Sequence, residues 1–151
     1  MKVFILLIFL ALLVAGGVYY YQKDTQDLQT ADLRIGDKQI KVELADTLPK
    51  QIQGLAGRDS ICFDCGMVFV YDRPQFHLFT MQGMRFPLDM VFIDQGRIVE
   101  IREGLRYPEN GEAPLTIQSS VEAGMVLEVN EGFVYRNRLK VGDSVNLTRT
   151  N

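Results

Sequence analysis

The sequence predicts a mainly β fold, a compact β-barrel or β-sandwich with two short helices, preceded by one transmembrane helix. Three observations favour this prediction. Beyond the N-terminus the apolar runs are short and separated by turn residues, no βαβ alternation repeats, and a long uncharged run opens the chain. With 151 residues in total, the chain has room for one globular domain with its own core.

The uncharged run covers residues 3–21, and seventeen of its nineteen side chains are hydrophobic. As a helix rising about 1.5 Å per residue, it would reach roughly 28 Å, close to the ~30 Å hydrocarbon core of a bilayer. Lys2 precedes the run, whereas Lys23 is followed by Asp24 and Asp27, so the positive-inside rule puts the N-terminus in the cytoplasm. We expect a single-pass protein of the cell membrane; a cleaved signal peptide is the alternative.

The predicted organisation has three parts. Residues 1–23 form an N-terminal transmembrane anchor, residues 24–30 a polar linker, and residues 31–151 an extracytoplasmic β-rich domain. The formal net charge of −3 argues against a nucleic-acid partner, because such proteins need basic side chains to neutralise phosphates. The expected partners are the membrane, through the N-terminal helix, and an unknown extracytoplasmic protein or small ligand.

Local patterns within the domain predict about eight strands. Gly36 and Asp37 form the turn of a hairpin over residues 33–44, and Pro49 lies in the first turn of a short helix that Gly54 ends. A second helical turn is expected up to Arg136. Residues 103–114 predict a surface loop that could serve as a binding edge. The central strands are expected at 67–71, 76–81 and 88–93, and further strands at 97–102, 115–118, 125–129 and 144–148.

Several segments, in this order and spacing, resemble the uncharacterised family named domain of unknown function 192. The resemblance runs from about Val42 to Val145 and implies a compact, mainly β domain without an established activity. The segments that carry it are Gly54-Leu55 with Arg58, Gly66-Met67-Val68-Phe69-Val70, Met81 followed by Pro87-Leu88-Asp89, Val99-Glu100-Ile101, Leu127-Glu128-Val129-Asn130 with Gly132, and Val141-Gly142-Asp143.

Cys62 and Cys65, the only two cysteines, have the spacing of thiol oxidoreductases and of half a zinc site. Asp64 lies between them and opposes thiolate formation, and the single histidine, His77, cannot complete a four-ligand zinc site in one chain. We therefore expect a structural disulfide in an oxidising compartment.

Arg58, Asp89 and Met81 are the candidate ligand-binding residues. Asp89 shares a strand face with apolar residues, and a buried carboxylate needs a partner. Arg58 is the candidate partner, because the family-like pattern retains both residues and arginine can pair with a carboxylate through two hydrogen bonds. The pair is interpreted either as a structural salt bridge or as a recognition pair in a cleft.

Metal and cofactor chemistry is not expected. His77 and the methionines Met67, Met81, Met84 and Met90 would suit Cu(I), but in apolar strands such residues more often fill the core. Two functional classes remain: a membrane-tethered binding module of unknown ligand, which we favour, and an envelope hydrolase of glycans or peptides. The hydrolase would require carboxylates such as Asp89, Glu100 and Glu128 to meet across a sheet.

Overall fold

The computed structural model describes residues 2–26, 28–109 and 111–149, and within the first helix the side chains of residues 6–19. The helices are α1 (Lys2–Gln26), α2 (Leu48–Gln53) and α3 (Phe133–Arg136). The strands are β1 (Thr30–Ile35), β2 (Lys38–Ala45), β3 (Cys65–Gln75), β4 (Leu78–Thr80), β5 (Leu88–Asp94), β6 (Arg97–Leu105), β7 (Thr116–Gln118), β8 (Ala123–Asn130) and β9 (Val145–Arg149).

Seven strands form one mixed sheet in the order β6-β5-β8-β3-β2-β1-β9, and β4 pairs with β7 in a small second sheet. Only β2 and β3 pair in parallel within the described strands, because α2 and its loop carry the chain back to the same end of the sheet. An isolated antiparallel bridge joins Arg97 to Ser144, so the two edge strands of the large sheet meet at one end.

Residues on opposite faces of the large sheet belong to separate cores. Val68, Val91 and Leu127 lie on one face, which we call the aliphatic face. Met67 and Met90 lie on the other, which we call the groove face, together with Phe69, Phe92, Met81 and Leu105. The two-stranded sheet and the segment after α2 cover the groove face, where Ile117 and Leu55 are buried.

The mainly β prediction is confirmed: the described residues form nine strands, and the two short helices lie at their expected positions. The hairpin is also confirmed, since Ile35 pairs with Lys38 across the Gly36-Asp37 turn. The prediction of a central strand over 76–81 is wrong: β4 spans only Leu78–Thr80, and Leu78 is 71% exposed. The predicted loop over 103–114 begins later, because β6 continues through Leu105.

The predicted N-terminal helix is present as α1, which continues to Gln26 and thus into the residues assigned to the linker. Among the residues that the structure describes, no helix is long and apolar enough to cross a membrane, so the transmembrane prediction is not supported here. The flanking charges on which the predicted orientation depends, at Lys2, Lys23, Asp24 and Asp27, lie outside the described side chains. The three-part division of the chain stays a prediction.

Candidate functional site: a groove over Glu128

A groove of about 310 Å³ opens on the groove face, between α2 with its following turn and β4. Its floor comes from β3 and β8, and its rims carry two exposed apolar side chains, Ile52 and Leu78. The lining residues fall into three groups: the floor with Phe69, Tyr71 and Glu128; the α2 side with Gln51, Ile52, Gln53, Gly54, Leu55 and Ala56; and the β4 side with Leu78, Phe79, Thr80, Gln82 and Met84.

The local sequence explains where α2 begins and ends beside the groove. Pro49 lies in the first turn, where its missing N–H costs no helical hydrogen bond. Gly54 ends the helix with a φ of +49°, and a Cβ there would lie 3.4 Å from the Phe69 ring. A larger residue would be both strained in this backbone conformation and crowded against the groove floor.

Glu128 is the buried ionisable side chain of the groove. It is 5% exposed, and its cross-strand neighbours on the same face are Met67 and Met90. No lysine, arginine or histidine lines the groove within the described residues. Removal from water therefore acts on the carboxylate without a compensating cation, and it raises the pKa of Glu128 to about 8. At neutral pH the side chain is mostly the uncharged acid.

Tyr71 lies beside Glu128 and is half-buried. Burial raises the pKa of the Tyr71 phenol, and the Glu128 charge raises it further. The Tyr71 ring contacts the His77 ring at a centroid distance of 4.2 Å. His77 is fixed by hydrogen bonds, one from its backbone N–H to Ser119 Oγ at 2.8 Å and one between Nε2 and the Ala123 carbonyl at 2.7 Å. It is therefore a satisfied core residue.

Glu100 lies on the same face but has many partners. Its carboxylate accepts hydrogen bonds from the Ser120 N–H at 2.7 Å, from the Ser120 hydroxyl at 2.8 Å and from Arg102 Nε at 2.6 Å. Burial alone would raise the pKa of Glu100, but these bonds and the Arg102 charge outweigh it and lower the pKa. Glu100 is a fixed structural carboxylate outside the groove lining.

Asp89 lies on the aliphatic face and is fully buried. One carboxylate oxygen accepts from the Gly104 N–H at 3.0 Å, and the other accepts from the Val134 N–H of α3 at 3.1 Å. Since Asp89 is on the opposite side of the sheet from Glu100 and Glu128, the three carboxylates do not meet.

The predicted pairing of Arg58 with Asp89 is wrong. The Arg58 guanidinium instead donates two hydrogen bonds to Glu43, at 2.8 and 2.6 Å. That bond and the Glu43 charge raise the pKa of Arg58 against the opposing effect of burial. Backbone N–H groups satisfy Asp89, so it needs no cation.

Met81, the third candidate ligand-binding residue, is fully buried in the groove-face core, where no ligand on the surface can reach it. Met67, Met84 and Met90 are also buried there and fill the core as expected. Within the described part of the chain, no three His, Cys, Asp or Glu side chains come together as a metal site.

Cys62 and Cys65 are joined in a disulfide, as predicted, with their Cα atoms 5.2 Å apart. The Asn130 side chain donates a hydrogen bond to the Cys62 carbonyl at 2.9 Å, which ties this loop to the end of β8. Beside the disulfide, Gly66 passes so close to β8 that a Cβ would lie 2.6 Å from the Glu128 carbonyl oxygen. The absence of a side chain at position 66 thus permits the close pairing of the two floor strands.

The sequence did not predict a groove at Glu128. It indicated Glu128 only as one of three carboxylates of a candidate hydrolase. A usable signal was its position inside the apolar run 125–129, where a lone carboxylate on a strand buried on both faces requires an explanation. The groove itself depends on the placement of α2 and β4, which no local pattern specifies.

Comparison with known proteins gives family and fold relationships. A family model for domain of unknown function 192, described as an uncharacterised ACR, matches residues 31–147. A crystal structure from Sinorhizobium meliloti 1021, described as a candidate transcription regulator, is 29% identical, with a TM-score of 0.71 over 80% of this chain and 95% of that chain. A protein of unknown function from Novosphingobium aromaticivorans is 27% identical, with a TM-score of 0.64 over 79% of this chain and 84% of that chain. No curated protein matches.

Proposed function

Since the chain belongs to the uncharacterised family of domain of unknown function 192, we propose a function from its own residues. The protein is a membrane-anchored, extracytoplasmic binding module, and the groove over Glu128 is its binding site. The observation that carries the binding role is a concave site with apolar rims and one buried carboxyl group, with no cation in the described lining.

The rims support binding over a purely structural role. Ile52 is 67% exposed and Leu78 is 71% exposed, and they stand on opposite sides of the groove. Large apolar side chains exposed around a concave site are typical of surfaces that take a partner or ligand. The loop after β6 is a weaker candidate for the binding site. Leu105 at the start of the loop and Tyr107 within it both pack into the core.

The alternative is an envelope hydrolase of glycans or peptides. One observation favours it, because a carboxyl group that stays protonated near neutral pH is suited to act as a general acid. A second carboxylate is needed to complete that chemistry, and the described groove lining contains none besides Glu128. We therefore prefer the binding role.

The sequence supports the membrane anchor. The uncharged run over residues 3–21 has the length that a bilayer requires, and the lysine positions favour a cytoplasmic N-terminus. A disulfide between Cys62 and Cys65 agrees with an oxidising exterior.

The membrane topology is tested with an impermeant thiol label on the full chain carrying Val141→Cys, an exposed position away from the groove. Intact cells, with any outer membrane permeabilised, should label this cysteine. Labelling only after lysis of the cell membrane would contradict the extracytoplasmic placement. Extraction by alkaline carbonate should leave the protein in the membrane, and release of a shortened chain would favour the cleaved signal peptide.

The binding role is tested with a photo-crosslinking amino acid at Leu78 on the groove rim. The matched control carries the same group at Tyr135, which is 82% exposed on α3 and lies outside the groove lining. In native membranes we expect adducts from position 78 and none from position 135. Equal adducts at both positions, or none at position 78, would contradict the groove as the binding site.

A further inference from the structure

We infer that the groove takes an extended peptide segment, which adds to the free edge of β4 and places a lysine or arginine side chain over Glu128. This inference rests on the proposed function, since it names the ligand class of the same groove.

The backbone of β4 has one edge that does not pair with β7. Ser119 donates its N–H to the His77 carbonyl, and Met81 donates its N–H to the Leu115 carbonyl, both at 2.9 Å. In an antiparallel pair the hydrogen-bonded positions alternate, so Phe79 is the next residue bonded to β7. The N–H and C=O groups of Leu78 and Thr80 therefore point away from β7.

That outer edge is available within the described structure. The small sheet contains only β4 and β7 among the described strands, and Leu78 and Thr80 are both exposed. Both also line the groove, so a segment running along this edge would lie beside the groove floor. An unpaired strand edge beside a cavity is the geometry of peptide recognition by strand addition.

The floor of the groove is complementary to a positive group. A carboxylate that is 5% exposed and faces no cation within the lining has its strongest missing partner in a positive group. Phe69, Tyr71 and Phe79 surround the same space and offer aromatic surface to an alkyl stem or a cationic head. The chemistry of the floor therefore selects a basic side chain over an acidic or aliphatic one.

The size of the groove and the alternation of side chains in an extended peptide also fit this ligand. A groove of about 310 Å³ accommodates a side chain and leaves the peptide backbone at its mouth. In an extended peptide alternate side chains point in opposite directions, so one inward residue would reach Glu128 while its neighbours face outward. The exposed Leu78 and Ile52 on the rims would contact apolar side chains of the peptide that flank its basic residue.

Protonation gives this ligand a distinctive signature. Tyr71 is the other titratable side chain in the described groove lining, and the lining residues from α2, its turn and the β4 side are uncharged. Of the nearby ionisable groups outside the lining, His77 packs against Tyr71, and Lys50 of α2 pairs with Asp46. A bound cation favours the ionised form of Glu128, so binding below about pH 8 releases a proton. The affinity should therefore rise as the pH approaches 8 and then level off.

The experiment uses five pools of acetylated and amidated hexapeptides on the immobilised full chain in detergent. Each pool fixes lysine, arginine, glutamine, glutamate or leucine at the third position and varies the others. We expect enrichment of the lysine and arginine pools, at least about tenfold weaker enrichment with Glu128→Gln, and proton release on calorimetric titration of an enriched peptide at pH 7. Thermal unfolding of the Glu128→Gln variant checks that it is folded.

Edge pairing is tested on the probe, so the protein stays unchanged. N-methylation of the peptide nitrogens that face β4 should weaken the affinity of the enriched peptide about tenfold. N-methylation of the alternate peptide nitrogens should have little effect on the affinity. Equal effects at both sets of positions would overturn strand addition.

The remaining outcomes separate the two proposals. Enrichment of the glutamate or leucine pool would overturn the basic ligand and leave the groove as a binding site. If no pool is enriched although position 78 forms crosslinks, the peptide inference is wrong and the binding role stands. If position 78 also forms no crosslink, the proposed function itself fails.

Discussion

The two faces of the large sheet bury a carboxylate in opposite ways. On the aliphatic face, Asp89 is fully enclosed, and both of its oxygens accept backbone N–H bonds. On the groove face, Glu128 is nearly as buried, yet the described groove lining includes no cation, and burial raises the pKa of Glu128 to about 8. The difference separates a carboxylate that the fold satisfies with its own backbone from an acid that the fold buries without such a set of donors.

The largest expected effect is on the aliphatic face. Asp89→Ala would leave the Gly104 and Val134 N–H groups without their acceptor in a buried setting, and it should destabilise the protein by about 3 kcal/mol. Urea denaturation gives the free energy of unfolding. Asp37→Ala, in an exposed turn, is the control and should change stability by less than about 0.5 kcal/mol. A similar effect at both positions would remove the contrast between the faces.

The next largest effect concerns the pH dependence of stability. The pKa of Glu128 is higher in the folded protein than in the unfolded chain, so the native state binds more protons and stability falls as the pH rises from about 5 towards 8. Between pH 5.5 and 7.5 this one group should account for a loss of roughly 2 to 3 kcal/mol. Glu128→Gln resembles the protonated acid and should remove that slope.

Glu100→Gln sharpens the same measurement. The pKa of Glu100 is lowered in the folded protein, so its contribution to stability is present above its unfolded pKa and is lost as the pH falls. The Gln variant should therefore be destabilised near neutral pH and flatten the acid side of the curve. If the two variants change the pH profile in the same direction, the contrast between these carboxylates is wrong.

A smaller effect is expected at the disulfide. Opening the short loop between Cys62 and Cys65 should cost roughly 2 kcal/mol through the greater entropy of the unfolded chain. The measurement compares urea midpoints with and without a thiol reductant. The Cys62→Ser, Cys65→Ser double variant should show no response to reductant, and a response there would point to another cause.

The smallest effect is expected at the ion pair between Arg58 and Glu43. Both side chains are about one-third exposed, so solvent screens the pair despite its two hydrogen bonds. Arg58→Gln should cost less than about 1 kcal/mol, and a double-mutant cycle with Glu43→Gln should give a coupling energy of similar size. A coupling above about 2 kcal/mol would place this pair among the structurally essential charges.

The sequence predicts the fold well where apolar patterns are unambiguous. β5 is buried at every position from Leu88 to Ile93, as a run that is apolar on both faces requires. The same reasoning fails at residues 76–81, because Phe76 and Leu78 are exposed at the small sheet while Met81 turns into the core. Hydrophobicity alone does not distinguish a core strand from the rim of a groove.

The site was less predictable, because it depends on which strands become neighbours. The parallel pairing of β2 with β3 places Glu43 opposite Met67. Arg58, just after the turn that follows α2, donates hydrogen bonds to this glutamate. Sequence spacing gave no reason to prefer Glu43 over Asp89. Glu128 likewise acquires its environment from Met67 and Met90, which come from strands far away along the chain.

The close approach at Gly66 has a consequence for how this site can change. The residue has no chemistry of its own, yet an added methyl group would push on the Glu128 carbonyl and on the side chains of Val129 and Leu127. The size of the residue at position 66 thus sets the distance between the two floor strands, β3 and β8. Attempts to redesign the specificity of the site should leave that position alone and vary the rims, where new side chains can be accommodated without moving a strand.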